Sequence, residues 1–566
     1  MSSQHASSRR SPRAALIVGS VVAVWLLLAV RLAQLQGFHR EEFSERALGQ
    51  LVFDEPIRAR PGEILDRSGR LLATSLDSSS LFADPAHIDD PDTFATRVAG
   101  VLDLDADVLA ERIREAKDRR FLWVKRRLSQ DEVVAIRELG LPAESWGFRN
   151  EFRRYYPQGR LAAHVVGLRG IDNVGRGGVE EQFDERLRGK DGIRTLVRDA
   201  RGYVLDVLEE VTRPPRHGAR VVLTLDSVIQ LYVEQQLDVV MDEWKPLSAS
   251  AIVVDPASGD ILAMASRPTY DPNHPAEIPD DAWRNAAVSD VYEPGSTIKP
   301  FVVSWALQGG LVQRDEQIDC EYGVYRMGRR ILHDHHSYGM LSLVDVLAKS
   351  SNIGMAKIGE RLTNRGLHEA LTAFGFGRPV GVELPGEVAG TLRPLREWNG
   401  YSTGSIPMGH ELGATPLQVI SAYAILANGG TMVSPHLLLI TDEDETSQYV
   451  VVAPVVSEKT ARWMVSEPMV EVVRRGTGRR AQLDGYTVFG KTGTAQKIDP
   501  ETGGYSHDRH FCSFVGGAPA DDPRVLVIVT VNEPTVGSNH GGGSVAAPAA
   551  AEILRRTLIY LRVPME

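Results

Sequence analysis

A chain of 566 residues exceeds what one hydrophobic core supports, about 250–300 residues, so at least two folded domains are expected. Its composition, 43% hydrophobic and 24% charged, excludes a disordered chain and a polytopic membrane protein, and the formal charge of -11 argues against nucleic acid as a partner, since phosphate binding needs concentrated Lys and Arg. Two cysteines, Cys320 and Cys512, are too few for a disulfide scaffold and leave compartment and pairing open.

Arg9, Arg10 and Arg13 precede the uncharged run at residues 14–30, AALIVGSVVAVWLLLAV, which Arg31 ends. As a helix the run reaches about 26 Å, just short of the hydrocarbon layer, and a snorkelling Arg31 with Leu32 and Ala33 extends it. No small-x-small cleavage pattern follows, so residues 14–35 are expected to be an uncleaved anchor in the lipid bilayer. Arginines before the helix and the acid-rich HREEFSE after it place residues 1–13 in the cytoplasm and the rest outside.

Residues 52–213 are rich in arginine and broken by short turn signals, which predicts strands and short helices rather than one long element. Two segments stand out, RARPGEILDRSGRLLATS with Arg60, Gly62, Asp66, Arg67 and Gly69, and RRYYPQGRLAAHVVG with Tyr156, Pro157, His164 and Gly167. DRSG reads as a hairpin turn.

From about Ala219 the texture changes. A helix is predicted over residues 227–244, then a hairpin in ASAIVVDPASGDILAMAS, where apolar β-type runs flank Pro-Ala-Ser-Gly-Asp. A second strand pair, HFCSFVGGAPA and RVLVIVTVNEP, is followed by a terminal amphipathic helix in VAAPAAAEILRRTLIYL. Helical segments between the pairs predict an α+β domain, an antiparallel sheet flanked by helices.

Three short motifs fall in this region in fixed order: EPGSTIKP with Ser296 and Lys299, KSSN with Ser350 and Asn352, and FGKTGTAQK with Lys491, Thr492, Gly493 and Thr494. Each alone is weak, because Ser-x-x-Lys arises by chance roughly once in such a chain and Ser-Ser-Asn commonly caps a helix. Together they form the signature of penicillin-binding proteins and class A β-lactamases. The chemistry accounts for the residue types. Serine is a poor nucleophile until a base takes its proton, and one helical turn brings the Lys299 amine near Ser296. That amine must be neutral, which burial against Ile298 and Phe301 and repulsion from Lys491 favour. Ser350 can relay a proton, and Asn352 can orient Lys299 or hold a substrate amide. Lys491, Thr492 and Thr494 can meet a terminal carboxylate, while Gly493 permits close approach. Backbone N–H groups of Ser296 and Thr494 are the candidate oxyanion hole.

The sequence resembles the class B penicillin-binding proteins, and within them the division-type, septal transpeptidases. The likeness rests on the anchor, RPGEILDRSG, RRYYPQG, EPGSTIKPF, SSNIG, GHELGATPLQ with His410, Glu411, Thr415 and Pro416, GKTGTAQK and GGGSVAAP. It implies a penicillin-binding transpeptidase domain at 216–566 on a non-catalytic, dimerisation-type pedestal at 36–215. It further implies an acyl-serine formed from D-Ala-D-Ala stem peptides of peptidoglycan, transfer to an amine on a neighbouring stem, acylation by β-lactams, no cofactor, and a membrane glycosyltransferase and division-complex proteins as partners. An elongation-type transpeptidase, a D,D-carboxypeptidase, a β-lactamase, a β-lactam sensor and an inactive division-complex scaffold are the alternatives. Glu397 and Asn399 in REWNG suggest a deacylating base without a spacing that assigns it. HDHH, residues 333–336, reads as a solvated loop rather than a zinc site, because no distant third ligand accompanies it. GSNHGGG, residues 537–543, reads as a bend before the last helix.

Overall fold

The computed structural model describes residues 12–38, 52–198, 204–208, 211–439, 454–499, 503–537 and 540–566. HREEFSE, the first eleven residues and two positions of GSNHGGG lie outside them. The chain forms two compact units, residues 1–59 with 189–217, and residues 60–188 with 218–566.

In the first unit α1 (Pro12–Ala33) runs into a short π-helical stretch at Gln34–Phe38. Its large apolar side chains from Leu16 to Leu32 are exposed, and Ala15–Gly37 is long and apolar enough to cross a membrane. Three antiparallel strands complete the unit, with Val52–Ile57 pairing Gly192–Arg198, which pairs Val204–Val207.

In the second unit, residues 60–188 build a sheet around the long strand Leu71–Ala83, which pairs Leu122–Leu128 and Trp146–Tyr155 and is backed by Pro91–Leu102, Ala106–Glu115 and Gln130–Glu138. DRSG is a tight turn between Ile64–Leu65 and Leu71–Ala83, with the Gly69 amide bonded to the Asp66 carbonyl. Asp66 does more than turn the chain: its buried carboxylate accepts from the amides of Ser68 and Arg70 and from the Ser227 hydroxyl. These bonds hold its pKa below the ordinary value although burial opposes them.

The sheet that carries the motifs has five strands: β1 (Ser248–Val254), β2 (Ile261–Arg267), β3 (Phe489–Ile498), β4 (Tyr505–Ala518) and β5 (Val525–Asn532), in the order β2-β1-β5-β4-β3, all antiparallel. The β1–β2 hairpin, the β4–β5 pair, α2 (Ser227–Trp244) and the terminal helix α6 (Gly542–Tyr560) lie where the apolar patterns put them. β5 reads VLVIVTVN because both of its faces are covered. Val525, Val527 and Val529 join the core shared with α2 and α6, whereas Leu526 and Ile528 join the core shared with α3 (Lys299–Gln308), α4 (Asn352–Ala373) and α5 (Pro416–Ala427). β3 is left at the sheet edge facing the start of α3.

Candidate active site

Ser296 lies on a turn of 3-10 helix, Gly295–Ile298, that runs into α3. Gly295 has φ +56, a left-handed conformation that costs glycine nothing. The first turn of a helix lacks intrahelical acceptors, so the Ser296 N–H is available to a ligand. Behind the turn Phe301 is sealed among Phe374, Phe376 and Tyr423, with ring centroids 4.8, 5.7 and 5.0 Å away. The Tyr423 hydroxyl donates to the Thr297 carbonyl at 2.9 Å and fixes the turn from below. Truncating such a buried aromatic costs about 3–5 kcal/mol.

Across the cleft, Ser350 is held at φ +60, an unfavourable backbone for a residue with a Cβ. Its hydroxyl donates to Ser296 Oγ at 3.0 Å and accepts from Lys299 Nζ and Lys491 Nζ, both at 3.1 Å. One hydrogen and two lone pairs are thereby all used. Sequence spacing placed the Lys299 amine directly beside Ser296; the described hydrogen bonds join the two through Ser350. Lys299 also donates to the carbonyls of Ser350 at 2.7 Å and Ser351 at 3.3 Å, and to Asn352 Oδ1 at 2.9 Å.

Both lysines are wholly buried. Burial pushes Lys299 down to about 7, against the opposing charge of Asp334. Lys491 lies well below its ordinary value, first through burial and then through the charge of Lys299. Burial depresses both amines, and the expected repulsion between them belongs to the pair. Two ammonium groups on one hydroxyl repel in a low-dielectric site, so the pair titrates as a unit. A neutral Lys299 has two hydrogens for its two shortest acceptors, the Ser350 carbonyl and Asn352 Oδ1, and its lone pair can take the Ser350 proton once that hydroxyl turns from Ser296 toward the amine.

On β3, Thr492 and Thr494 line the cleft of about 750 Å³ that also contains Ser296 and Ser350. Thr492 Oγ1 lies 2.7 Å from Thr477 Oγ1, and Thr494 Oγ1 accepts from the Gly542 amide at 3.0 Å. A Cβ on Gly493 would stand 2.4 Å from Ser513 Oγ and 2.9 Å from the Pro294 carbonyl. Glycine at 493 thus lets the strand approach the nucleophile turn itself, which brings Thr494 and Ser296 to one cleft.

Residues 249–555 match the penicillin binding protein transpeptidase domain, and residues 56–223 the penicillin-binding protein dimerisation domain. The chain belongs to the class B penicillin-binding proteins. It is 33% identical to the probable peptidoglycan D,D-transpeptidase PenA of Neisseria meningitidis, covering 97% of this chain and 93% of that one, and 32% identical to the peptidoglycan D,D-transpeptidase FtsI of Escherichia coli, covering 97% and 92%. A solved structure, penicillin binding protein 3 of Mycobacterium tuberculosis with aztreonam, superposes with a TM-score of 0.69 at 28% identity over 90% of this chain and 98% of that one.

Several residues of this penicillin-binding protein's site gave no signal in sequence. Asp334, in the HDHH loop, accepts from the Ser351 hydroxyl at 2.6 Å and from the amides of Asn352 and Ile353, capping α4 where the second motif begins. Glu293, three residues before the nucleophile, accepts from Tyr505 at 3.0 Å and lies 2.7 Å from His410 Nδ1, tying the nucleophile loop to β4 and to the GHELG segment. Glu397 and Asn399 are exposed and do not line the cleft. Cys320 and Cys512 are buried and unpaired, with Cys320 Sγ 3.3 Å from Ser351 Oγ.

Proposed function

We propose that this peptidoglycan D,D-transpeptidase cross-links stem peptides at the division septum, with Ser296 as nucleophile, Lys299 as base and Ser350 as the relay between them. The Ser350 hydroxyl carries the assignment, since it reaches Ser296, Lys299 and Lys491 at once. The terminal carboxylate of a D-Ala-D-Ala stem, received by Thr492, Thr494 and the charge of Lys491, favours the proton on Lys491 and leaves Lys299 neutral. Ser296 Oγ then attacks the penultimate carbonyl carbon, its proton passing to Ser350 Oγ and the Ser350 proton to Lys299. Backbone N–H groups of Ser296 and Thr494 receive the oxyanion. As the peptide bond breaks, the Lys299 proton returns through Ser350 to the departing D-Ala amine. An acceptor amine attacks the ester, gives its proton to the same relay, and frees Ser296.

The layout in this proposal is a tail at 1–13, an anchor at 14–35, a pedestal at 36–215 and a transpeptidase domain at 216–566. The apolar, fully exposed α1 and the arginines before it support an extracytoplasmic catalytic domain on the cytoplasmic membrane. A membrane glycosyltransferase and division-complex proteins are the proposed partners. The septal role draws support from EPGSTIKP and GHELGATPLQ and from the likeness to FtsI.

Fluorescent penicillin is expected to label the full chain on one peptide containing Ser296, and Ser296→Ala to abolish the label while the protein stays folded by circular dichroism. Label persisting on a serine of that variant refutes the nucleophile. A fluorescent fusion is expected at midcell, and depletion to give filaments; a fusion spread along the lateral wall refutes the septal role.

A further inference from the structure

Beyond Thr494, the distal end of β3 walls a second, open pocket of about 540 Å³, lined also by residues 289–293, which lead into the nucleophile turn, and by residues 411–413. Asp290 lines it and is only 9% exposed. Its Oδ1 makes no hydrogen bond. Arg284 is the cation beside it, 3.2 Å from Oδ1, but that side chain is 59% exposed and its charge is shared with solvent. Burial raises the Asp290 pKa, and Arg284 and Lys497 oppose that rise only in part.

The other charged groups of the pocket are engaged. Glu293 is held by His410, Tyr505 and the Glu411 amide, Glu411 by Arg393 and Ser402, and Lys497 by Asn532 and Glu533. Among the described residues, Asp290 is the carboxylate here with a buried oxygen, Oδ1, that accepts no hydrogen bond, its ion pair to the exposed Arg284 aside. The rim adds exposed apolar surface from Val291 and Ile498. A methylene chain ending in an ammonium fits such a wall and floor.

The position along the strand identifies the ligand. β3 is an edge strand, and a peptide held by its terminal carboxylate near Thr492 and Thr494 and running antiparallel to β3 passes Lys497 roughly 10 Å further on, three residues at about 3.3 Å each. The residue preceding D-Ala-D-Ala then lies at the pocket mouth. We propose that this pocket binds the free side-chain amine of the donor stem peptide, with Asp290 as its counter-ion, an assignment that rests on the transpeptidase reading above. The enzyme thereby selects donors whose amine is still uncapped.

The test uses the full chain in detergent and measures how well Nα-acetyl-Lys-D-Ala-D-Ala and its Nε-acetyl counterpart protect Ser296 from fluorescent penicillin. Wild type is expected to be protected by the free amine at about tenfold lower concentration, the usual range for a hydrogen bond to a charged group. Asp290→Asn is expected to bring the ratio near one. Ile498→Trp, at an exposed rim position that tolerates replacement, is expected to block the mouth and do the same. The ratio is taken within each variant, so a general change in acylation cancels. No preference in wild type, or a preference that survives both substitutions, overturns the subsite. Loss of penicillin label from wild type itself would sink the Ser296 assignment, and this one with it.

Discussion

Two clusters of buried charge in the second unit resemble each other in depth and differ in balance. Around Glu180, which is fully buried, Arg154 Nε approaches to 2.5 Å and Arg169 Nε to 2.8 Å, and Arg169 also bonds Asp184, itself paired with the exposed Arg188, so each buried guanidinium has a carboxylate. Around Ser350, Lys299 and Lys491 share one hydroxyl, and among the described residues no carboxylate hydrogen-bonds either amine. Compensated charges fix a fold. Like charges on one hydroxyl leave a proton free to move, which suits the second cluster to the catalytic role proposed for it.

The sharpest way to break the comparison is to remove one lysine. Lys299→Ala is expected to lower the second-order rate of penicillin acylation by about 10³-fold, in the usual range for a lost base, with normal thermal unfolding. Stopped-flow labelling checks it, and an unchanged rate removes Lys299 as the base. Next comes the balanced cluster: Glu180→Gln leaves two buried guanidiniums short of a partner and is expected to cost about 3–5 kcal/mol in chemical denaturation while folded molecules still label at the wild-type rate. A large loss of labelling per folded molecule would erase the distinction. A third test is pH. A lysine depressed to about 7 is neutral above that value, so acylation is expected to rise roughly tenfold from about pH 6 to 8 and then level off. A rate that falls with rising pH contradicts a neutral Lys299. The smallest effect is expected from Asp334→Asn. Without that carboxylate the Lys299 ammonium loses its opposing charge, so the midpoint of the pH profile is expected to move below the wild-type one, and a midpoint moving upward refutes the coupling.

Much of the fold could be read in advance, because the signals were local. The helix at Ser227–Trp244 carries its N-cap, Asp226, whose side chain accepts from the Val228 amide, and the β1–β2 hairpin carries its own turn. The three motifs lie on a helical turn, a helix start and an edge strand, as their composition indicates. What could not be read is what depends on distant pairing. Nothing in HDHH announces that Asp334 caps the helix of the second motif, and nothing in Tyr505 points to Glu293, 212 residues earlier. Ser350 was read as a proton relay, but its place between Lys299 and Ser296 was hidden for the same reason. Sequence spacing reports the direct i, i+3 neighbour, whereas the left-handed Ser350 comes from another segment of chain.

The sheet has a consequence for biogenesis. β1 pairs with β5, so Ser248 stands opposite Asn532, and the first residues of α6 are packed so tightly on β3 that a Cβ on Gly542 would stand 2.3 Å from the Gly493 carbonyl. Strands made early in synthesis therefore wait for strands made nearly three hundred codons later, and such long-range closure is slow. Until then Ser296 and the two lysines lack the β3 wall of their cleft, and the site is complete only once α6 has docked.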